Sequence, residues 1–163
     1  MVKVGLLSDT HGWLDPAIVD FFSDCDEIWH AGDVGSPGII DHLESMATVR
    51  AVSGNIDDSR LRLRIPEFQS FTIEGMAVVM IHIGGYPGHY SSRSKGLIRD
   101  SRPKLFIAGH SHILKVMRDE ENDLLFMNPG AAGNQGFHQV RTALRFTIHN
   151  QIPSSLELLE IRR

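Results

Sequence analysis

The sequence predicts an α/β domain whose first third forms a parallel β-sheet with helical crossovers. β-rich apolar segments alternate with helical stripes over residues 2–53, the pattern of right-handed βαβ units. Beyond residue 67 the pattern changes to a hairpin and several β segments with little helix between them. Many of the predicted strands stop at a histidine, aspartate or asparagine, several of these preceded by glycine.

The elements follow in order. Residues 2–7 are apolar and β-rich, as in a buried strand. Asp15-Pro16 supplies an N-cap and a proline at the first helical position. Ile18, Phe21, Phe22 and Cys25 follow as one helical stripe, which makes Cys25 a core residue and not a reactive one. A second strand is expected over 27–31. Ser36-Pro37 opens a second helix with Ile39, Ile40, Leu43 and Met46 toward the sheet, and a third strand covers 48–53. Residues 68–74 and 76–81, joined at Gly75, read as a hairpin. The glycine-rich stretch IGGYPGHYSS leads into a helix over 92–101. Further β segments are expected at 104–108, 113–118, 124–127 and 143–149, and residues 155–161 fit a strand or a short helix. No repeat, low-complexity tract or linker interrupts the chain, so residues 1–163 are expected to form one domain.

Composition narrows the function. With 42% apolar and 22% charged residues, the chain can bury a core and is not a disordered segment. A net charge of −4 and a pI near 6.1 argue against general nucleic-acid binding. They leave room for a local positive site, because bound metal ions carry charge that this count omits. Cys25 is the single cysteine, which excludes an intramolecular disulfide and a thiolate-rich metal site. The opening MVKVGLLSDTHG is too short for a membrane span and has no secretory cleavage pattern, so a cytoplasmic protein without a membrane partner is expected.

The strand ends carry the chemistry. Five predicted strands stop at Asp9 with His11, at Asp33, at Asn55, at His82, and at His110 with His112. In α/β sheets the loops at strand carboxyl ends converge on one crevice. In IAGHSHI an extended backbone would turn His110 and His112 to the same side. Glycine precedes Asp33, Asn55 and His110, permitting sharp exits and close backbone approach. An isolated aspartate after a strand is more often a cap or turn residue, and one histidine among nine is more often structural. Their recurrence at successive strand ends reverses that judgement. Two carboxylates, one amide and four imidazoles suit Mn²⁺, Fe, Zn²⁺, Ni²⁺ or Co²⁺. Seven ligands exceed one tetrahedral ion and match two ions sharing a carboxylate. Two metals roughly 3.5–4 Å apart clamp a phosphate and stabilise both the attacking and leaving oxygens.

Asp9-Thr10-His11, Gly32-Asp33, Gly54-Asn55-Ile56-Asp57, His82 and Gly109-His110-Ser111-His112 resemble the ordered motifs of the calcineurin-like metallophosphoesterases. The similarity is greater to their small YfcE-like phosphodiesterase group, and it runs from Ser8 to the Asn128-Pro129-Gly130 turn. The resemblance implies a four-layer αββα sandwich of two mixed β-sheets flanked by helices. It puts Asp9, His11 and His112 on a first metal ion, and Asn55, His82 and His110 on a second. Asp33 then bridges the two, and His110 and His112 serve different ions. It also implies that a metal-activated hydroxide attacks phosphorus, with Asn55 near a phosphate oxygen.

Two departures from the family pattern bear on substrate. Many larger members have a histidine after the asparagine, proposed to protonate the leaving group; here Ile56 stands there. General acid catalysis contributes ~10²–10⁴-fold, so its loss favours activated or cyclic diesters, or a substitute acid, for which His89 is the candidate. The family's His-Gly-His run is replaced by His82-Ile83-Gly84-Gly85-Tyr86, a longer loop with one imidazole fewer. No Gly-Lys-Ser/Thr follows these glycines, so the loop is not a P-loop. Arg93 and Lys95 are candidates to draw in an anionic substrate. His30 is expected to be a packed or supporting group, Asp57 to orient a ligand histidine, and Trp13 to pack beside the first loop.

The expected protein is a dinuclear metal-dependent phosphoesterase, foremost a phosphodiesterase with two Mn²⁺ ions, acting on a small phosphoester and self-associating as a dimer. Asn55, Asp57 and His89 are its expected catalytic side chains beyond the metal ligands. The alternatives are a phosphomonoesterase using the same metals and a Vps29-like interaction scaffold, for which the complete ligand set would have no chemical need.

Overall fold

Strand β1 (Val2–Leu7) is apolar on both faces from Val4 onward, and this places it inside the molecule. Val4 and Leu6 face one core and Leu7 faces another. β2 (Glu27–His30) and β3 (Thr48–Ala51) lie beside it in parallel. The crossovers are α1 (Pro16–Phe21) and α2 (Pro37–Glu44). Each starts as its sequence dictates: Asp15 accepts from the Ala17 amide and Ser36 from the Gly38 amide, with proline next in line.

The computed structural model describes residues 1–163, in which two departures from expectation occur early in the chain. α1 is shorter than its apolar stripe and ends at Phe21, and Cys25 reaches the core from a following turn. Burial pushes the Cys25 thiol up to about 11, in keeping with an inert side chain. A third helix, α3 (Ser59–Arg64), was not predicted, because SRLRLR alternates with the period of a strand. Asp58 nucleates it by accepting from the Arg60 and Leu61 amides, and Leu61 alone in the helix is buried.

β4 (Phe68–Ile73) and β5 (Met76–Ile81) form the expected hairpin around Glu74 and Gly75. α4 (Ser92–Ser101) leads to β6 (Leu105–Ile107), then β7 (Leu114–Asp119) and β8 (Leu124–Pro129). β9 (Val140–His149) and β10 (Ile152–Arg162) return to the first sheet, so the ambiguous last segment is a strand. The sheet orders are β10-β9-β1-β2-β3 and β4-β5-β6-β8-β7, each mixing parallel and antiparallel pairs.

Three apolar clusters define four layers. Val4, Leu6, Trp29, Val78, Met80, Ile107, Met127 and Phe146 fill the space between the sheets. Ile18, Phe22, Ile28, Ile40, Leu43 and Leu61 join the first sheet to α1, α2 and α3. Val79, Ile98, Phe106 and Phe126 join the second sheet to α4. Each fully buried side chain of this kind contributes roughly 1.5–3 kcal/mol. The architecture is thus the αββα sandwich. No helix is long and apolar enough to cross a membrane.

Past the central strands, the Asp9 amide donates to Gly32 O at 2.9 Å within the first sheet, and the Gly109 amide to His82 O at 3.0 Å within the second. The two sheets are joined there by His82 Nδ1 donating to Ala31 O at 2.8 Å and the His110 amide to Asp9 Oδ2 at 3.1 Å. The Ala132 amide reaches Ser8 O at 2.8 Å, tying β8 of one sheet to β1 of the other.

Candidate metal centre

Five of the strand-end residues, Asp9, His11, Asp33, His110 and His112, have left-handed backbones, with φ between 48° and 69°. Such non-glycine conformations are uncommon and persist only where surrounding structure holds them. Here the His11 amide donates to Asp33 O at 3.0 Å and the Gly12 amide to Val34 O at 2.8 Å. The Asp9-x-His11 and His110-x-His112 turns therefore share one design. The His110–His112 stretch is not extended, contrary to expectation, and its two imidazoles join different groups.

One group comprises Asp9, His11 and His112, the other Asp33, His82 and His110; within each, the donor atoms lie within 4.8 Å of one another. Both carboxylates divide their oxygens in the same way. Asp9 Oδ2 accepts from Ser8 Oγ at 2.6 Å and from the His110 amide at 3.1 Å. Its Oδ1 faces His112 Nε2 at 3.2 Å and the Nε2 atoms of His11 and His82 at 3.8 Å. Asp33 Oδ1 accepts from the Ile56 amide at 3.1 Å. Its Oδ2 lies 3.2 Å from His82 Nε2 and 3.6 Å from His11 Nε2, one imidazole from each group.

These separations fit a cation. Ligand atoms held about 2.1 Å from one ion at tetrahedral or octahedral angles are about 3.0–3.4 Å apart. Asp9 Oδ1, His11 Nε2 and His82 Nε2 are buried without any hydrogen-bond partner, a costly arrangement for polar atoms that nothing else satisfies. His82 Nδ1 donates to Ala31 O at 2.8 Å, so the neutral ring directs its Nε2 lone pair into the site.

The charges support one another. Burial works against the Asp9 carboxylate, but the imidazoles of His11 and His112 beside it hold its pKa well below the usual range. Burial likewise opposes the charge on Asp33, and His82 outweighs it, so that pKa is also lowered. The hydrogen-bonding Asp9 carboxylate raises the pKa of His11. For His82, burial favours the neutral ring, but Asp33 and Asp9 prevail and raise its pKa.

The supporting residues differ in part from expectation. Asp57 does not orient a histidine. Its buried carboxylate accepts from the backbone amides of Val34, Gly35 and Gly54 at 3.1, 2.7 and 2.8 Å, fastening the loop after β2 to the loop after β3. His89 belongs to neither ligand group: it is exposed and packs against Tyr86, ring centroids 4.8 Å apart. Asn55 is exposed and lines a cavity together with His82 and Arg93. Lys95 lines a different cavity, with Tyr90 and Arg99. Ile56 places its amide on Asp33 and leaves its apolar side chain half exposed. His30 is fully buried and supporting: its Nδ1 accepts from the Gly32 amide, and its Nε2 donates to Thr10 Oγ1, which donates to Val34 O. Burial pushes its pKa down to about 4. Trp13 packs beside the first loop, under the Arg141 guanidinium at 4.6 Å.

Two contributors were missed in the sequence. His138 lies 5.2 Å, ring to ring, from His112 and donates to Gly133 O, bracing the outer side of that imidazole. Asn128 donates to Gly109 O and Ser111 Oγ, tying the histidine turn to β8. Asn128 does follow an apolar run, Leu124 to Met127, whereas His138 has no sequence signal at all.

Comparison with known proteins agrees with this geometry. Residues 2–151 match the family model described as the calcineurin-like phosphoesterase superfamily domain. A probable metallophosphoesterase of Methanothermobacter thermautotrophicus is 33% identical over 133 residues, covering 78% of this chain and 76% of that protein. Another, of Methanocaldococcus jannaschii, is 33% identical over 134 residues, covering 78% and 67%. Among solved structures, Vps29 of Entamoeba histolytica complexed with zinc superposes with a TM-score of 0.76 at 16% identity, covering 98% of each chain. A structure described as a novel archaeal phosphodiesterase gives 0.75 at 24% identity, covering 99% of each chain. At these identities both likenesses concern the fold.

Proposed function

The chain belongs to the calcineurin-like phosphoesterase superfamily, and from that premise we propose that it is a dinuclear metal-dependent phosphoesterase that prefers phosphodiesters. Asp9, His11 and His112 hold one cation in this reading. His82, His110 and Asn55 hold the other, and Asp33 serves both. Two divalent cations would supply Lewis acidity at the phosphoryl oxygens and a nucleophile near neutral pH. The chain's own part is to hold the ligands before substrate arrives. Ser8 and the His110 amide fix Asp9, the Ile56 amide fixes Asp33, and the Ala31 carbonyl fixes the His82 tautomer. Oxygen and imidazole donors make Mn²⁺ the first ion to test.

The observation that carries this reading is the position of Asp33 Oδ2, within 3.6 Å of one imidazole from each group. The preference for diesters follows from Ile56, which cannot protonate a leaving group. Esters with good leaving groups depend least on that proton. An interaction scaffold would have no need of orphaned donor atoms aimed at common points.

The test is hydrolysis of bis(p-nitrophenyl) phosphate with added Mn²⁺, before and after chelation, beside p-nitrophenyl phosphate as the monoester. Activity that is lost on chelation, is faster on the diester and falls by orders of magnitude in Asp33→Asn is the expected result. Near-wild-type activity in a folded Asp33→Asn protein would refute the assignment.

A further inference from the structure

A cavity of about 290 Å³ opens beside His82 and Asn55, and its wall carries Arg62, Arg93, Glu67 and Ser91. Two of its ten lining residues are hydrophobic, so it suits a polar occupant. Arg62 comes from α3, and its guanidinium donates to the carbonyls of Asp57 at 2.7 Å and Gly54 at 2.8 Å. Those acceptors are neutral, so its charge is not cancelled locally. Arg93 comes from the first turn of α4. Its Nη2 lies 3.4 Å from Glu67 Oε2, both side chains are more than half exposed, and its guanidinium rests on the Phe68 ring at 5.1 Å.

An exposed pair at that distance contributes little and exchanges partners readily. The wall therefore presents two guanidinium groups against one carboxylate, in a protein whose net charge is −4. A surface with that overall charge has no general use for a positive recess, whereas a recess next to a phosphoester centre does.

We infer that Arg93 is a specificity residue that takes a second anionic group of the substrate, a phosphate or carboxylate remote from the scissile phosphorus, in exchange for Glu67. The inference rests on the phosphoesterase reading of the adjoining centre. Arg62 adds its field and keeps the Gly54-Asn55 turn in place. Arg93 supplies the planar, two-pronged donor that matches an oxyanion.

The test is calorimetric binding to the Mn²⁺-loaded protein of propyl phosphate, its carboxylate-terminated analogue and its phosphate-terminated analogue. At least one terminal anion should bind about tenfold more tightly than propyl phosphate, the scale of a charge-assisted hydrogen bond. The two analogues show which oxyanion is preferred. Arg93→Gln should abolish that preference with the melting temperature unchanged. Glu67→Gln should strengthen it, a change that a folding defect cannot imitate. Equal affinities in the wild type, or a preference that survives in Arg93→Gln, would overturn the inference. Hydrolysis of bis(p-nitrophenyl) phosphate by the same preparations reports on the centre separately. Normal hydrolysis without a preference rejects this role of Arg93 alone. A preference without hydrolysis rejects the catalytic reading, and the specificity role with it.

Discussion

Gly54 and Asp33 compete for the same space: a Cβ added at Gly54 would stand 2.0 Å from Asp33 Oδ1 and 2.3 Å from the Asp33 backbone nitrogen. A backbone atom cannot swing aside as a flexible side chain can. Gly54→Ala should therefore move the Asp33 carboxylate, which lies beside His11 and His82, destabilise the fold by about 1–3 kcal/mol and reduce phosphoester hydrolysis as severely as Asp33→Asn. Gly38→Ala is the control, because its added methyl would meet only Ser36 Oγ at 3.5 Å. Melting curves and hydrolysis rates of the two variants check this.

Asp57 acts on the backbone and not on an imidazole. Asp57→Ala would leave the buried amides of Val34 and Gly54, and that of Gly35, without their acceptor. Each such loss costs about 1–3 kcal/mol. A drop in stability of about 3 kcal/mol or more is expected, with activity falling as the Asp33 loop loosens. Urea unfolding measures it, and an unchanged midpoint would show that the three bonds are dispensable.

The strand-end residues were legible because glycine and a polar side chain stand together where apolar runs stop. Their backbone conformation was not. Nothing in the sequence around Asp9 or His11 requires a positive φ, which is imposed by bonds to Gly32 and Asp33, more than twenty residues away. The role of Asp57 was hidden for the same reason, since two of its three partners lie 22 and 23 residues earlier. α3 escaped notice because alternating arginine and leucine imitate a strand, and the Asp58 cap decides the matter locally. His89 misled through proximity in sequence to His82: the intervening loop turns it outward onto Tyr86.

The stability gained on binding metal should depend on pH. His11 and His82 have raised pKa values in the folded protein. Their contribution is therefore complete below the ordinary imidazole range and is lost as pH rises through the folded values. Asp9 and Asp33 have lowered values, so their contribution is present above the ordinary carboxylate range and lost as pH falls through the folded ones. Buried His30 works the other way: burial holds its pKa down to about 4, so its contribution is lost as pH falls below the ordinary imidazole range. Metal ions bind neutral imidazole, so the rise in melting temperature on adding Mn²⁺ should grow from weakly acidic to weakly alkaline pH. A metal-induced shift that does not vary with pH would contradict histidine ligation.

Ile56 is half exposed beside the centre, and its role there is played by its amide, which any residue retains. Ile56→His should keep that bond and add a proton donor. The expected gain is about tenfold or more on esters with poor leaving groups, with little change on nitrophenyl esters. Comparing alkyl and nitrophenyl esters for both proteins decides it; equal gains on both, or none, would remove the missing acid as the source of substrate preference.

The most direct measurement of the shared centre is anomalous scattering from crystals of Mn²⁺-loaded protein. Two peaks roughly 3.5–4 Å apart, one beside Asp9, His11 and His112 and the other beside His82 and His110, with Asp33 between them, are the expected result. A single peak, or density remote from Asp33, would contradict it.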